Sequence, residues 1–321
     1  MAGPPSRSPH ASLGLLTGSL AFISWGLVPL YWKLLQQVPA LEILAHRLLW
    51  SFVFSIVLLC GYRRWSEIND LLHSPKQILL SILSGIVICG NWFIFIWAVN
   101  SGHVLHTSLA YFMTPLVNVL LGAWLFRERL RPLQWAAITL AGIGVSILSL
   151  AFGSLPWIAL SLCASFALYG VIRKISRAAS LPGLFLESAA MIPIFLFYVV
   201  HLSRSGASSF TLNDPTTVAL LIGSGVVTAL PLLWFAHAAR NLRLSTLGLL
   251  QYLGPTLTFL LGTLVYREPF TRAHLITFGC IWIGLAIYTT ESWWQWKQHS
   301  RLDDGRETRG ISAKDVDACA D

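Results

Sequence analysis

The sequence predicts an all-α polytopic membrane protein of ten transmembrane helices, arranged as two inverted five-helix repeats. Three observations carry that expectation. The chain of 321 residues is 55% hydrophobic and only 11% charged, with a mean hydropathy of +0.66, whereas soluble domains are about a quarter charged. Its apolar stretches run to roughly 20 residues, each long enough to cross about 30 Å of hydrocarbon as a helix; a β-barrel would alternate in segments of about 10 residues. Third, the chain repeats itself at an offset of 140 positions.

In chain order the expected spans are about 13–34, 43–61, 77–99, 107–126, 133–151, 157–175, 182–201, 216–238, 245–266 and 273–292. Pro132, Pro156, Pro182 and Pro215 stand at or just before helix starts, where a missing N–H costs little. Residues 1–12 form a polar, Pro-rich tail without the apolar core of a signal peptide, so the first helix is expected to be retained. Residues 293–321 open with Trp293, Trp294 and Trp296, an interfacial anchor, and then read as a polar, disordered tail.

Orientation is set by the basic residues of the connections. With the N-terminus cytoplasmic, the inner loops hold Arg63, Arg64, Lys76, Arg127, Arg129, Arg131, Arg173, Lys174, Arg177, Arg240 and Arg243. The outer ends hold Lys33, Arg204, Arg267 and Arg272. This asymmetry predicts that both termini are cytoplasmic. The net charge of +8 is therefore topological, and basic residues scattered at segment ends do not make a nucleic-acid footprint.

Cys60, Cys89, Cys163, Cys280 and Cys319 form no C-x-x-C pair, so neither a zinc site nor a disulfide framework is expected. There is no P-loop, H-E-x-x-H or G-x-S-x-G, and the reading is of a protein that is not an enzyme and takes no cofactor or metal.

The repeat is carried by residues that membrane segments do not share by chance. Arg127-Glu128 matches Arg267-Glu268, Pro115 matches Pro255, Leu120-Leu121-Gly122 matches Leu260-Leu261-Gly262, and Gly144 matches Gly284, without a gap. The halves are 13–151 and 157–292. Each has five spans, so the second crosses the membrane in the opposite sense, as in transporters whose site lies near the midplane between the repeats. A duplicated structural bundle without a pathway is the alternative.

A pathway is expected where polar residues share one helical face. Tyr111, Pro115, Asn118 and Gly122 form such a stripe in the fourth span, and Gln251, Pro255, Thr258 and Gly262 form its counterpart in the ninth. Polar groups at that depth face a cavity or another helix, since lipid cannot satisfy them; plain helix packing is the competing explanation. Asn91 and Trp92 in the third span, Thr228 in the eighth and Tyr252 beside Gln251 complete the expected substrate cavity. Pro115 and Pro255, with Gly122 and Gly262, are expected hinges because each proline removes a backbone hydrogen bond.

Two charges lie about a turn inside the membrane, Arg47 and Glu187, again 140 apart. Opposite charges at related positions suit partners that change between inward- and outward-open states, with Glu187 the candidate for proton coupling; snorkelling to the surface is the alternative. Glu42, His46 and Lys33 are expected to be solvated at the outer surface. Arg127-Glu128 and Arg267-Glu268 are expected to be turns or gate elements, the Arg complementing a helix C-terminus and the Glu accepting from the amides that start the next helix.

The duplicated unit ending in Gly…Arg-Glu resembles the EamA domain of the drug/metabolite transporter superfamily. The stretches "SWGLVPLYWKLL", "HRLLWS", "NWFIFIWAVNSGHVLHTSLAYFMTPLVNVLLG", "LYGVIRK", "TALPLLWFA" and "LSTLGLLQYLGPTLTFLLG" are similar to bacterial RarD-type proteins over almost the whole of 13–290. The resemblance implies ten helices, an inner-membrane location, cytoplasmic termini and a cavity lined by spans three, four, eight and nine. The second copy reads Arg-Glu-Pro where the first reads Arg-Glu-Arg, so a role for Arg129 is not duplicated. The resulting expectation is a secondary transporter, an exporter of a small metabolite or drug-like molecule, with the bilayer and that substrate as partners. Proton coupling is one option, and the oligomeric state is open, a homodimer included. A membrane-embedded binding or regulatory protein that alters chloramphenicol sensitivity indirectly is the alternative.

Overall fold

The computed structural model describes residues 9–126, 130–211, 213–242 and 250–307. Within them the chain forms helices α1 (Pro9–Leu34), α2 (Ala40–Tyr62), α3 (Trp65–Leu72), α4 (Pro75–Asn100), α5 (Val104–Phe126), α6 (Pro132–Phe152), α7 (Trp157–Ile175), α8 (Ser180–Ser205), α9 (Pro215–Asn241), α10 (Leu253–Leu260) and α11 (Arg272–Glu307). A π-helical turn, Leu261–Val265, extends α10, and no strand occurs among the described residues.

Eight of these helices are long and apolar enough to cross a membrane, and Leu253–Val265 is a shorter apolar helix. The 23 residues of α5 also have crossing length. Leu150, Phe197 and Leu264 are strongly exposed, as expected of side chains that lipid rather than water covers. Local chemistry sets several helix ends. Asp214 accepts from the Thr217 amide at 3.0 Å to cap α9, with Pro215 next to it, and Gly206 closes α8 at φ 70°.

The bundle is built from α1 along α9, α4 along α7, α2 against α8 and α9, α5 against α7 and α10, and α6 along α11. The α6–α11 crossing is close. A Cβ at Gly144 would come within 3.1 Å of the Thr277 carbonyl oxygen, and one at Gly284 within 2.9 Å of that of Ala137. Thr277 also donates its hydroxyl to the Gly144 carbonyl at 2.8 Å. A Cβ at Gly85 would meet Glu187 and Met191 at 3.0 and 3.5 Å, and one at Gly225 would meet the backbone of Trp50 and Ser51.

Four features differ from the sequence reading. The segment after α2 is helical: Ile68 and Leu71 of α3, three apart, pack on Leu59, Leu181 and Leu186, and Arg64 holds Glu67 at 2.6 Å. One amphipathic turn pair is too short to register against apolar spans. The first helix begins at Pro9, four residues before the expected span, whose crossing part is Leu13–Leu34 as the sequence places it. The last continues to Glu307 through the stretch read as a disordered tail, because neither Pro nor Gly interrupts it before Gly305. The ninth apolar segment is not one regular helix: Gln251 and Tyr252 form a turn before α10. Pro255 stands four residues after Gln251, and its ring excludes the carbonyl of residue i−4 from a regular helix.

Candidate substrate site

The end of the bundle at which α1 terminates is the distal end; α4, α6, α8 and α10 also end there, and α2, α5, α7, α9 and α11 begin there. Arg47 lies seven residues into α2, about 10 Å below that end at 1.5 Å per residue. It is 9% exposed. Its guanidinium carbon sits 3.9 Å from the centre of the Trp92 ring on α4 and 5.2 Å from that of Trp32 on α1. Tyr111 of α5 and Cys89 of α4 lie within its electrostatic reach. The Tyr111 ring is itself held edge-on by Phe95 and Phe166 at 5.8 Å each.

Glu187 is turned elsewhere. At 4% exposure, it accepts from Tyr169 at 3.2 Å and pairs with Arg173 at 3.4 Å, close to the other end of the bundle. Neither Arg47 nor Glu187 snorkels.

The other sequence-selected residues divide. Asn91 donates to the Leu162 carbonyl and to Ser165, both at 2.9 Å, which ties α4 to α7. Thr258 donates to the Gly26 carbonyl at 3.2 Å and ties α10 to α1. Thr228 bonds within its own helix, to Ser224 at 2.8 Å. Asn118 is exposed and Gln251 half-buried. Tyr252 lines a lateral groove of about 410 Å³ with Phe112, Thr256 and Trp282. Of the eight, the structure thus gathers Trp92 and Tyr111 around Arg47. Pro115 lies inside a continuous α5. Gly122 belongs to α5, and Gly262 packs against Leu105. Arg127, Glu128 and Arg129 fall outside the described residues.

The distal end is closed by polar contacts. Glu268 comes after the π turn and accepts from the Val104 amide at 2.6 Å and from the Leu105 amide at 2.8 Å, the first two amides of α5. Arg267 at φ 50° makes the turn that aims it, and the Glu268 amide returns to the Gly262 carbonyl at 2.9 Å. The glutamate therefore caps the start of α5 and not that of α11, the next in the chain. Lys33 reaches the Asn100 carbonyl at 3.5 Å and lies over the Tyr266 ring. Glu42, expected in solvent, is buried and accepts from Ser209 at 2.7 and 2.8 Å and from Ser208 at 3.0 Å; His46 stacks on Phe210. Ser208, Ser209 and Phe210, in the segment after α8, cover Glu42 and His46 and keep them from solvent.

Two features escaped the sequence reading. One is the indole pair around Arg47, since Trp32 and Trp92 are far apart in the chain. The other is the row His103, His106 and His274, with ring centres 5.8 and 6.2 Å apart. No cluster of three or more His, Cys, Asp or Glu side chains among the described residues could hold a metal ion.

An all-helical bundle with apolar flanks, polar groups turned inward and a closed end is that of a multi-pass membrane protein. The model of the EamA-like transporter family matches residues 12–150. An uncharacterized transporter of Vibrio cholerae serotype O1 is 46% identical over 88% of this chain and 93% of its own length. Protein RarD of Escherichia coli K12 is 44% identical over 87% and 94%. A protein of Pseudomonas aeruginosa named chloramphenicol-sensitive protein RarD is 28% identical over 85% and 92%. A solved crystal structure at 19% identity shares the fold, with a TM-score of 0.56 over 86% of this chain and 96% of that one. The chain belongs to the EamA-like transporter family, among its RarD-type members.

Proposed function

We propose that the protein is a secondary transporter that exports a small metabolite or drug-like molecule across the bacterial inner membrane. It works by alternating access between two inverted repeats, 13–151 and 157–292, with both termini cytoplasmic. The observation that carries this reading is a symmetric contact pattern joined to an asymmetric conformation. Pairs at the 140-residue offset pack alike across the halves: Gly144 on Thr277 and Gly284 on Ala137, Gly85 on Met191 and Gly225 on Ser51. Yet the fourth span runs unbroken through Pro115, while its counterpart turns at Gln251–Tyr252 and ends in a π turn. Two related segments in different shapes are what alternating access requires, the halves exchanging shapes as the pathway changes side.

In this reading the distal end faces outward and is closed by Glu268. Trp92 and Tyr111 contact substrate, and Asn118, Gln251 and Thr258 meet it in states that open the helix faces. Glu187 is the coupling carboxylate. The test is flux of a broad panel of labelled metabolites and drugs into proteoliposomes bearing the purified full chain. Substrate-specific flux above protein-free liposomes supports the reading. Ligand binding without flux for any member sinks it in favour of a regulatory protein.

A further inference from the structure

A guanidinium about a turn inside a membrane usually has a carboxylate, backbone carbonyls or a route to the surface. Among the described residues the Arg47 side chain has neither of the first two, and it is 9% exposed. No hydrogen bond or ion pair joins it to any described residue, and its Nε is buried without a partner. Glu187, its counterpart in the repeat, is engaged by Arg173 and Tyr169. Two indole faces are its company. Cation–π attraction is worth about 0.5–2 kcal/mol, whereas taking a cation out of water costs several. The rings alone do not balance that cost.

The groups around Arg47 share one polarity. The Trp32 ring lies 5.2 Å from the guanidinium carbon and its indole N–H is also buried and unpartnered, and Tyr111 lies within electrostatic reach. Among the described residues, Glu187 is the carboxylate within electrostatic reach of Cys89 at the edge of the cluster, and it is already engaged by Arg173 and Tyr169. Donors with a net positive charge suit a ligand rich in acceptors, and a planar guanidinium fits a carboxylate with two parallel bonds. One uncompensated charge matches a monoanion, and the Trp32 and Trp92 faces suit a flat apolar body.

From this we infer that Arg47 anchors the carboxylate of a small organic acid, with Trp32, Trp92 and Tyr111 as walls. The substrate class is thus an aromatic or apolar monocarboxylate. Calling that acid a substrate rests on the transporter reading, but its binding is testable without flux.

The experiment uses the full chain in zwitterionic phosphatidylcholine nanodiscs and titrates matched probes, benzoate against benzamide and nicotinate against nicotinamide, by calorimetry. The acids should bind at least tenfold more tightly than their amides. Arg47→Gln should erase that ratio, and Arg47→Lys should lower acid affinity several-fold, because an ammonium cannot make the paired bonds. If Arg47→Gln does not fold, Arg47→Lys and Trp92→Leu carry the test, both weakening the acids more than the amides. Equal binding of acid and amide, no binding of either acid, or an acid preference that survives replacement of Arg47 overturns the inference. Weaker acid binding after phosphatidylglycerol is added, with the ratio intact, identifies a lipid headgroup as a competitor for the same anion site and supports it. Acid-selective binding without flux leaves the anion site standing and fails the transporter; flux of uncharged probes alone does the reverse.

Discussion

The carboxylate of Glu268 accepts the amide of Val104 at 2.6 Å, joining the end of the ninth apolar segment to the start of the fourth. These two residues belong to different halves of the chain. A side chain that ends one helix thereby satisfies the orphan amides that begin another. Where two helices must part for a pathway to open, such a bond sets part of the energy of opening.

Removing that cap should loosen the distal end. Glu268→Ala leaves the first amides of α5 without their acceptor, a loss of about 1–2 kcal/mol, or about a five- to thirtyfold shift in an opening equilibrium. In a background without native cysteines, Ser108→Cys should react faster by that factor with a membrane-impermeant thiol reagent. Ser108 is buried at the Pro255 carbonyl, 2.8 Å away. An unchanged rate would remove Glu268 from the closure.

The α6–α11 crossing should tolerate no bulk. Gly144→Leu and Gly284→Leu push side chains into backbone carbonyls at 3.1 and 2.9 Å, and each should cost about 2–4 kcal/mol. Gly279→Leu, with nothing within 4 Å of its Cβ position, is the control. Thermal unfolding in detergent should drop by several degrees for the first two and hold for the third.

Pro255→Ala restores the N–H that the Gln251 carbonyl lacks and should let the turn at Gln251–Tyr252 rewind. Flux should fall several-fold while expression and thermal stability hold or improve, since the substitution relieves the helix and removes its bend. Flux at the level of the unaltered protein would show that the bend plays no part in transport.

Glu187 is held by Arg173 at 3.4 Å. If that carboxylate carries the coupled proton, Glu187→Gln should abolish the dependence of flux on a pH gradient while substrate counterflow persists. A gradient dependence that survives the change assigns Glu187 to helix packing.

Membrane class and most of the apolar helices were legible because each leaves a compositional mark on the chain, charge scarcity and span length, and the recurrence of Pro, Gly and Arg-Glu at one offset can be read directly. Contacts between halves leave no such mark. Nothing local distinguishes Asn91, which ties α4 to α7, from Trp92 one residue later, which faces Arg47. The aromatic company of Arg47 comes from α1 and α4, and the acceptor role of Glu268 is aimed at α5 by a left-handed residue, Arg267, that sequence alone does not reveal. Likewise Pro115 and Pro255 are the same letter in the same pattern, yet one rests in a continuous helix and the other stands just past a break. A repeat tells which positions are equivalent but not which of two shapes each copy holds.

Alternating access requires the distal end to open and close during each transport cycle. A Cβ at Gly262 would lie 3.2 Å from Cγ and 3.3 Å from the amide nitrogen of Leu105, which places a Leu105→Cys/Gly262→Cys pair within disulfide reach. Flux through that double variant in proteoliposomes, lacking other cysteines, is the direct measurement. Flux should vanish when the pair is oxidised and recover on reduction; equal flux in both states would contradict an opening at this end.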